Sequence, residues 1–399
     1  MKPLTYRHTR IACYGAYVTQ AIINNLAPLL FTIFQRRFGV TLEEVGSLIL
    51  INFTAQIFVD LAAARFADKI GYRTCVVFSQ ILSAVGLVLM AILPDMLPVP
   101  FIGILISVVL YAIGSGLVEV LVSPIVEACP FENKDGVMSL LHSFYCWGAV
   151  GVILGSTLFF SLFGTGTWRI LAGIWALIPL YNIYNFATCP IEPIVADGKS
   201  MTISELFKTK IFWAFILLMI CAGASEASIA QWASAFAESA LHVSKTVGDL
   251  AGPCGFAVFM GISRTLYGKA GGRIDLTAFM MLSAALCLVC YLVAGLANIP
   301  MLGLVGCMLC GFAVGIMWPG SISISSSILP SGGTAMFALL ALAGDMGASM
   351  GPALVGTVSQ IAGDNLQAGI LAGAGFPAVL ALCVLLVRKW RRGKRPQQA

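Results

Sequence analysis

Apolar residues run along this chain in twelve stretches, each close to the roughly 20 residues a helix needs to cross hydrocarbon. They lie at about 11–34, 44–64, 74–93, 101–127, 136–162, 169–188, 210–237, 246–267, 276–296, 301–328, 333–361 and 367–388. Short polar connections separate them. None alternates apolar and polar residues as a barrel strand does, and a lone strand leaves its backbone unsatisfied in lipid. The pattern predicts an all-α polytopic membrane protein with twelve transmembrane helices. The longest polar connection, "CPIEPIVADGKSMTISELFKTK", runs from Cys189 to Lys210 and leaves six stretches on either side. It predicts a six-helix bundle over 1–188, a cytoplasmic linker over 189–209, a second six-helix bundle over 210–388 and a basic cytoplasmic tail over 389–399.

Composition agrees. Of the 399 residues, 59% are hydrophobic and only 10% charged, against about 25% charged in a soluble domain. With both termini placed in the cytoplasm, the inner segments hold 19 of the 23 Lys and Arg. The outer segments hold Arg36, Arg37, Arg169 and Lys245. That asymmetry is the positive-inside rule, so the net charge of +5 reflects topology and predicts no nucleic-acid partner. The tail "RKWRRGKRPQQA" reads as a stop-transfer anchor, with contact to anionic lipid head groups as the alternative. The first apolar run is long enough to be a span, so no cleavable signal peptide is expected. The twelve Cys read as small apolar packing residues, and no metal or cofactor is predicted. HExxH, a GxSxG with a partner His, and a phosphate loop are all lacking, which argues against an enzyme.

Charged groups inside a bilayer are costly and mark function. Four acids fall within the spans: Asp60, Glu119, Glu226 and Asp345. No Lys or Arg is expected at their depth, and an unpaired carboxylate in low dielectric tends to take a proton. Glu119, Glu226 and Asp345 are therefore candidate proton carriers, each also readable as a protonated donor fixing two helices. Asp60 lies near the cytoplasmic end, open to either a pathway or a loop role. His142 is the sole histidine within a span and can donate, accept or titrate. It is a candidate to exchange a proton with Glu119. A polar and aromatic set predicts a lining for a small solute: Asn24, Asn25, Asn52, Gln56, Tyr145, Trp147, Gln231, Trp232 and Trp318. Amides bracket hydroxyls, and aromatic faces stack on apolar faces of sugar rings. Taken singly, each aromatic is also a plausible packing residue. Glycines at close spacing in 344–356 predict helices that approach closely.

The loop after the second span, "ARFADKIGYR", and that after the eighth, "RTLYGKAGGR", align at a shift of 200 residues. Lys69 meets Lys269, Gly71 meets Gly271 and Arg73 meets Arg273, while Asp68 meets Gly268. Internal repeats of this kind are typical of secondary transporters. The first loop resembles the cytoplasmic signature of the major facilitator superfamily, with Ala64 in place of its first Gly. The resemblance implies a charged cytoplasmic latch made by Asp68, Lys69, Gly71 and Arg73, with Arg264 and Arg273 in the second repeat. "NNLAPLLFTIFQRRF", "GSGLVEVLVSP" and "HSFYCWGA" are similar to stretches of the fucose–proton symporter branch. Where that branch carries an acid in span one, this chain has Pro28.

The resemblance implies a secondary active transporter that moves a sugar-like solute across a bacterial inner membrane by alternating access. Proton-coupled symport and function as a monomer are the expectation. The loss of an acid at Pro28 keeps a drug or sugar exporter of the same superfamily as the alternative. A membrane enzyme and a non-transporting sensor are the rival classes.

Overall fold

A computed structural model describes residues 5–193, 200–241, 250–270, 273–363 and 365–393. Part of the expected linker, Lys245, Gly271 and the end of the basic tail lie outside the described residues. All regular structure among the described residues is helical. In order come α1 (Tyr6–Phe38), α2 (Leu42–Ile70), α3 (Tyr72–Met96), α4 (Pro100–Ala128), α5 (Lys134–Phe163) and α6 (Trp168–Thr188). A short amphipathic turn, α7 (Ile203–Lys208), leads to α8 (Lys210–Leu241) and α9 (Gly255–Ala270). The chain continues with α10 (Leu276–Leu296), α11 (Pro300–Val314), α12 (Met317–Ile328), α13 (Gly333–Ile361), α14 (Leu366–Gly373) and α15 (Gly375–Gly393).

Nine helical stretches among the described residues are long and apolar enough to cross a membrane. The other three expected spans coincide with α1, α2 and the described part of the eighth, α9. Two expected spans are broken, and proline explains both. Pro319 has no N–H to donate to the carbonyl four residues back, and α11 gives way to α12 at Gly315 and Ile316. Pro377 stands in the same relation to Gly373, where α14 ends. A proline in the first turn of the following helix is tolerated, because N–H groups there have no intrahelical partner anyway. Outside the spans, Thr202 and Glu205 form a capping box that starts α7. The hydrogen bonds from Thr202 hold the Glu205 carboxyl below its usual range.

The chain divides into two compact units. The first comprises Met1–Pro130, Phe144–Lys199 and Gly333–Ala338. Its core gathers Leu26, Leu30, Phe34, Met90, Ile104, Tyr111 and Trp168 from α1, α3, α4 and α6. α3 and α4 press together at Gly114, where a Cβ would sit 2.4 Å from Ser83 Oγ. On α6 the residues Leu171, Ala176, Asn182 and Phe186 face inward, while Ile170, Ile174, Leu177, Tyr181 and Tyr184 are exposed. Exposed apolar stripes at helical spacing suit a lipid solvent.

The second unit comprises Phe131–Ser143, Ser200–Gly332 and Leu339–Ala399. Here α8 and α13 meet along the expected glycines: a Cβ on Gly347 would lie 2.0 Å from the Ile220 carbonyl oxygen. Only a residue without a side chain permits that approach. α10 shows the same outward apolar face, with Leu282, Val289 and Leu296 exposed.

Candidate functional site

In the first unit the polar side chains of α1 set the geometry. Gln20 and Asn24 are one turn apart and share a face of α1. Gln20 Nε2 donates to Glu119 Oε2 on α4 at 2.9 Å. Asn24 Nδ2 lies 3.4 Å from the Tyr145 hydroxyl on α5. On α2, Asn52 and Gln56 are likewise one turn apart. Gln56 is only 2% exposed, and its Cα lies 3.3 Å from where a Cβ on Gly116 of α4 would be. Gln20 Oε1, Asn24 Oδ1, Asn52 Oδ1 and Gln56 Nε2 are buried and have no hydrogen-bond partner among the described residues. Buried polar atoms are normally satisfied, so four such amide atoms, on two helices, point to something that completes them. Sequence reasoning missed Gln20, although its spacing to Asn24 was the available signal. It also missed Gln80 and Asn182, which are buried and tie α1, α3 and α6 together. Thr19 Oγ1 donates to Gln80 Oε1 at 3.1 Å, and Asn182 Nδ2 donates to the Ala12 carbonyl at 2.9 Å.

The second unit overturns one expectation. A cation does sit beside an acid within the spans: Arg264 Nη2 lies 3.2 Å from Glu226 Oε2. Arg264 is 3% exposed. It also donates from Nε to the Gly315 carbonyl at 2.8 Å and from Nη1 to the His142 carbonyl at 3.3 Å. Its own carbonyl accepts from Ser139 Oγ at 2.8 Å. The sequence reading placed Arg264 at the start of the cytoplasmic loop after the eighth span, as part of the latch. In the structure α9 runs on to Ala270, so Arg264 lies about 9 Å before the helix end at 1.5 Å rise per residue. Its side chain leans toward the start of α9, as helical side chains do, which carries the guanidinium deeper. The Gly315 carbonyl it caps is the one that Pro319 leaves unbonded.

The remaining candidates separate. Asn25 turns back on its own helix and donates to the Ala21 carbonyl at 2.8 Å. Tyr145 faces α1, while Trp147, two residues on and so about 200° around the helix, is exposed. Gln231 is exposed. Trp232 donates its indole N–H to the Pro352 carbonyl at 3.1 Å, fastening α8 to α13. Trp318 packs on Gly344, where a Cβ would meet its ring at 2.2 Å. The neighbouring Asp345 is half-buried, and Asp60 is fully buried.

In the expected latch, Asp68 accepts from Thr334 Oγ1 at 2.6 Å and from the Tyr72 hydroxyl. Thr334 opens α13, so the carboxylate faces the positive end of a helix. Gly71 holds a φ of 94°, which favours glycine. Arg73 Nη1 donates to the Phe186 and Ala187 carbonyls at 2.8 and 2.9 Å, capping the end of α6. Lys69 and Arg273 are exposed. The repeat partner of Asp68, Gly268, explains its own departure from the pattern. A Cβ there would sit 2.9 Å from Leu140 Cβ and 3.1 Å from the Gly136 carbonyl oxygen. No group of three or more His, Cys, Asp or Glu among the described residues is arranged to hold a metal.

The profile of the Major Facilitator Superfamily matches residues 13–352. Among solved structures the chain is similar to the E. coli fucose:proton symporter FucP, at 17% identity and a TM-score of 0.77, over 95% of this chain and 98% of that one. It is also similar to the proton:xylose symporter XylE, at 12% identity and 0.79, over 98% and 96% of the two chains. The human organic anion transporter MFSD10 shares the fold at 14% identity and 0.75, over 95% and 99%. No curated protein matches the chain in sequence.

Proposed function

This chain belongs to the Major Facilitator Superfamily, and on that premise we propose that it is a proton-coupled symporter for a small hydroxylated solute of the sugar class. The coarser statement needs no proposal: it is an integral membrane secondary transporter, not an enzyme, and moves a small solute by alternating access. The proposal adds twelve spans in two six-helix bundles, cytoplasmic termini, an inner-membrane location, and a monomer as the working unit.

One observation carries the reading. The Glu119 carboxylate is met by an amide, Gln20, among buried amide atoms on α1 and α2 that lack partners. Amides both donate and accept, so this set can bracket the hydroxyls of a polyol. A carboxylate that accepts a hydrogen bond from an amide can take and release a proton during a transport cycle. Glu226 and His142 belong to the second unit, where Arg264 already meets the acid. They enter this reading as a fixed ion pair with a backbone contact, and Asp345 as a second titrating acid. The likeness to FucP and XylE, described as a fucose:proton and a proton:xylose symporter, supports the sugar class. Pro28, where the fucose branch carries an acid, favours the export reading as the alternative.

The test is uptake of a panel of sugars and polyols into proteoliposomes with and without an imposed proton gradient. Accumulation that follows the gradient is the expected result. Flux in the opposite direction under the same gradient would select export. No flux of any panel member, with or without the gradient, would remove the sugar class.

A further inference from the structure

At the end of the first unit where α1 finishes and α6 begins, an open cavity of about 270 Å³ is lined by Ile33, Arg36, Arg37, Thr165, Gly166 and Trp168. The last residues of α3 reach the same place, because Asp95 bonds both Arg37, at 3.4 Å, and Arg169. Two arginines therefore share one carboxylate while Arg36 lines the same cavity, which leaves a local excess of positive charge. The excess is notable because the segments of this face carry few cations elsewhere in the sequence. Beneath the arginines lies an aromatic floor. Trp168 is packed edge-on by Phe34 and Phe38, with ring centroids 5.5 and 6.3 Å away. The Arg169 guanidinium lies 5.6 Å from the Trp168 ring. Trp168 is wholly buried, yet among the described residues its indole N–H has no hydrogen-bond partner, and neither has Arg169 Nε. A satisfied structural cluster would not leave two N–H donors idle beside a positively charged opening.

We propose that this cavity binds the phosphodiester of an anionic phospholipid headgroup. Guanidinium and indole N–H groups only donate, and the Thr165 hydroxyl can donate as well, which with the excess positive charge suits an oxyanion. The level is right for a headgroup, because the cavity sits where membrane-crossing helices end. The surroundings favour a lipid over a soluble anion. Leu162, Phe163 and Ile170 flank the Thr165–Gly166 rim and are well exposed, offering acyl chains an apolar track next to the charged opening. Arg36 has the dominant role, since Arg37 and Arg169 are shared with Asp95.

The experiment uses the full chain in a neutral detergent and follows its melting temperature during titration with phosphatidylglycerol, phosphatidylcholine of the same acyl chains, or inorganic phosphate. Phosphatidylglycerol is expected to raise the melting temperature saturably, and phosphatidylcholine to do so far less. Arg36→Gln, which removes a cation engaged in no ion pair among the described residues, is expected to weaken the lipid about fivefold, the worth of one basic residue near an anionic lipid surface. Thr165→Val is a second, milder probe of the same rim. Stabilisation by inorganic phosphate that is lost in Arg36→Gln would support the oxyanion site with a soluble source. Equal responses to the two lipids, or an Arg36→Gln variant that binds phosphatidylglycerol like the parent, would overturn the site.

Discussion

Glu119 and Glu226 are the same residue, each within a helix that crosses the membrane, yet they live in different electrostatic settings. Glu119 on α4 receives a hydrogen bond from an amide, Gln20. Glu226 on α8 receives one from a guanidinium, Arg264, which also braces the Gly315 and His142 carbonyls. Removing a proton from a carboxylate held by an amide leaves the charge to be spread over neutral dipoles. The same step beside a guanidinium completes an ion pair that is costly to break. In the proposed cycle the first acid is the one that titrates and the second is a fixed brace. Position within a span alone does not assign a role to an intramembrane acid; the partner does.

That contrast is open to direct attack. The largest effect is expected from Glu119→Gln, which keeps the shape and the contact to Gln20 but cannot carry a proton. Gradient-driven accumulation in proteoliposomes should be abolished while solute exchange without a gradient persists. Accumulation equal to the parent would remove Glu119 as the carrier. Next in size, Arg264→Ala should cost about 3–5 kcal/mol of stability, because it strands a carboxylate and two carbonyls. Unfolding in denaturing detergent measures it, and adding Glu226→Ala should recover part of the loss. If Arg264→Ala costs no more than Glu119→Gln, the two settings are not distinct. Smaller again is Gly268→Asp, which restores the repeat pattern on paper. It should cost about 1–3 kcal/mol through overpacking against Leu140 and Gly136, and a neutral result would dissolve the asymmetry between the two loops. The smallest effect is expected from Trp232→Phe, about 0.5–1.5 kcal/mol for the lost bond to Pro352. Solute affinity should stay at the parental value, and a large fall in affinity would return Trp232 to the lining.

The fold was the most legible part, because lipid leaves a chain few options. Helix after helix could be placed from apolar length alone, and the residues that interrupt spans ten and twelve were visible as Gly315 with Pro319 and Gly373 with Pro377. The site was legible only in part. The sharing of one helix face by Asn52 and Gln56 is readable in one dimension, whereas the contacts of Asn24 with Tyr145 and of Gln20 with Glu119 join different helices. Trp147 and Tyr145, both read as lining, are separated by the helical turn. Arg264 was read as the start of the loop after the eighth span, which left out both the length of α9 and the lean of its side chains.

By itself, then, the sequence determined the solvent, the helices and the likeness of the two loops. These follow from local composition and period. Tertiary structure alone decided which acid has a guanidinium beside it, why Gly268 cannot be an aspartate, and where three arginines gather over Trp168. Such facts depend on distances between residues far apart in the chain, and no one-dimensional spacing carries them.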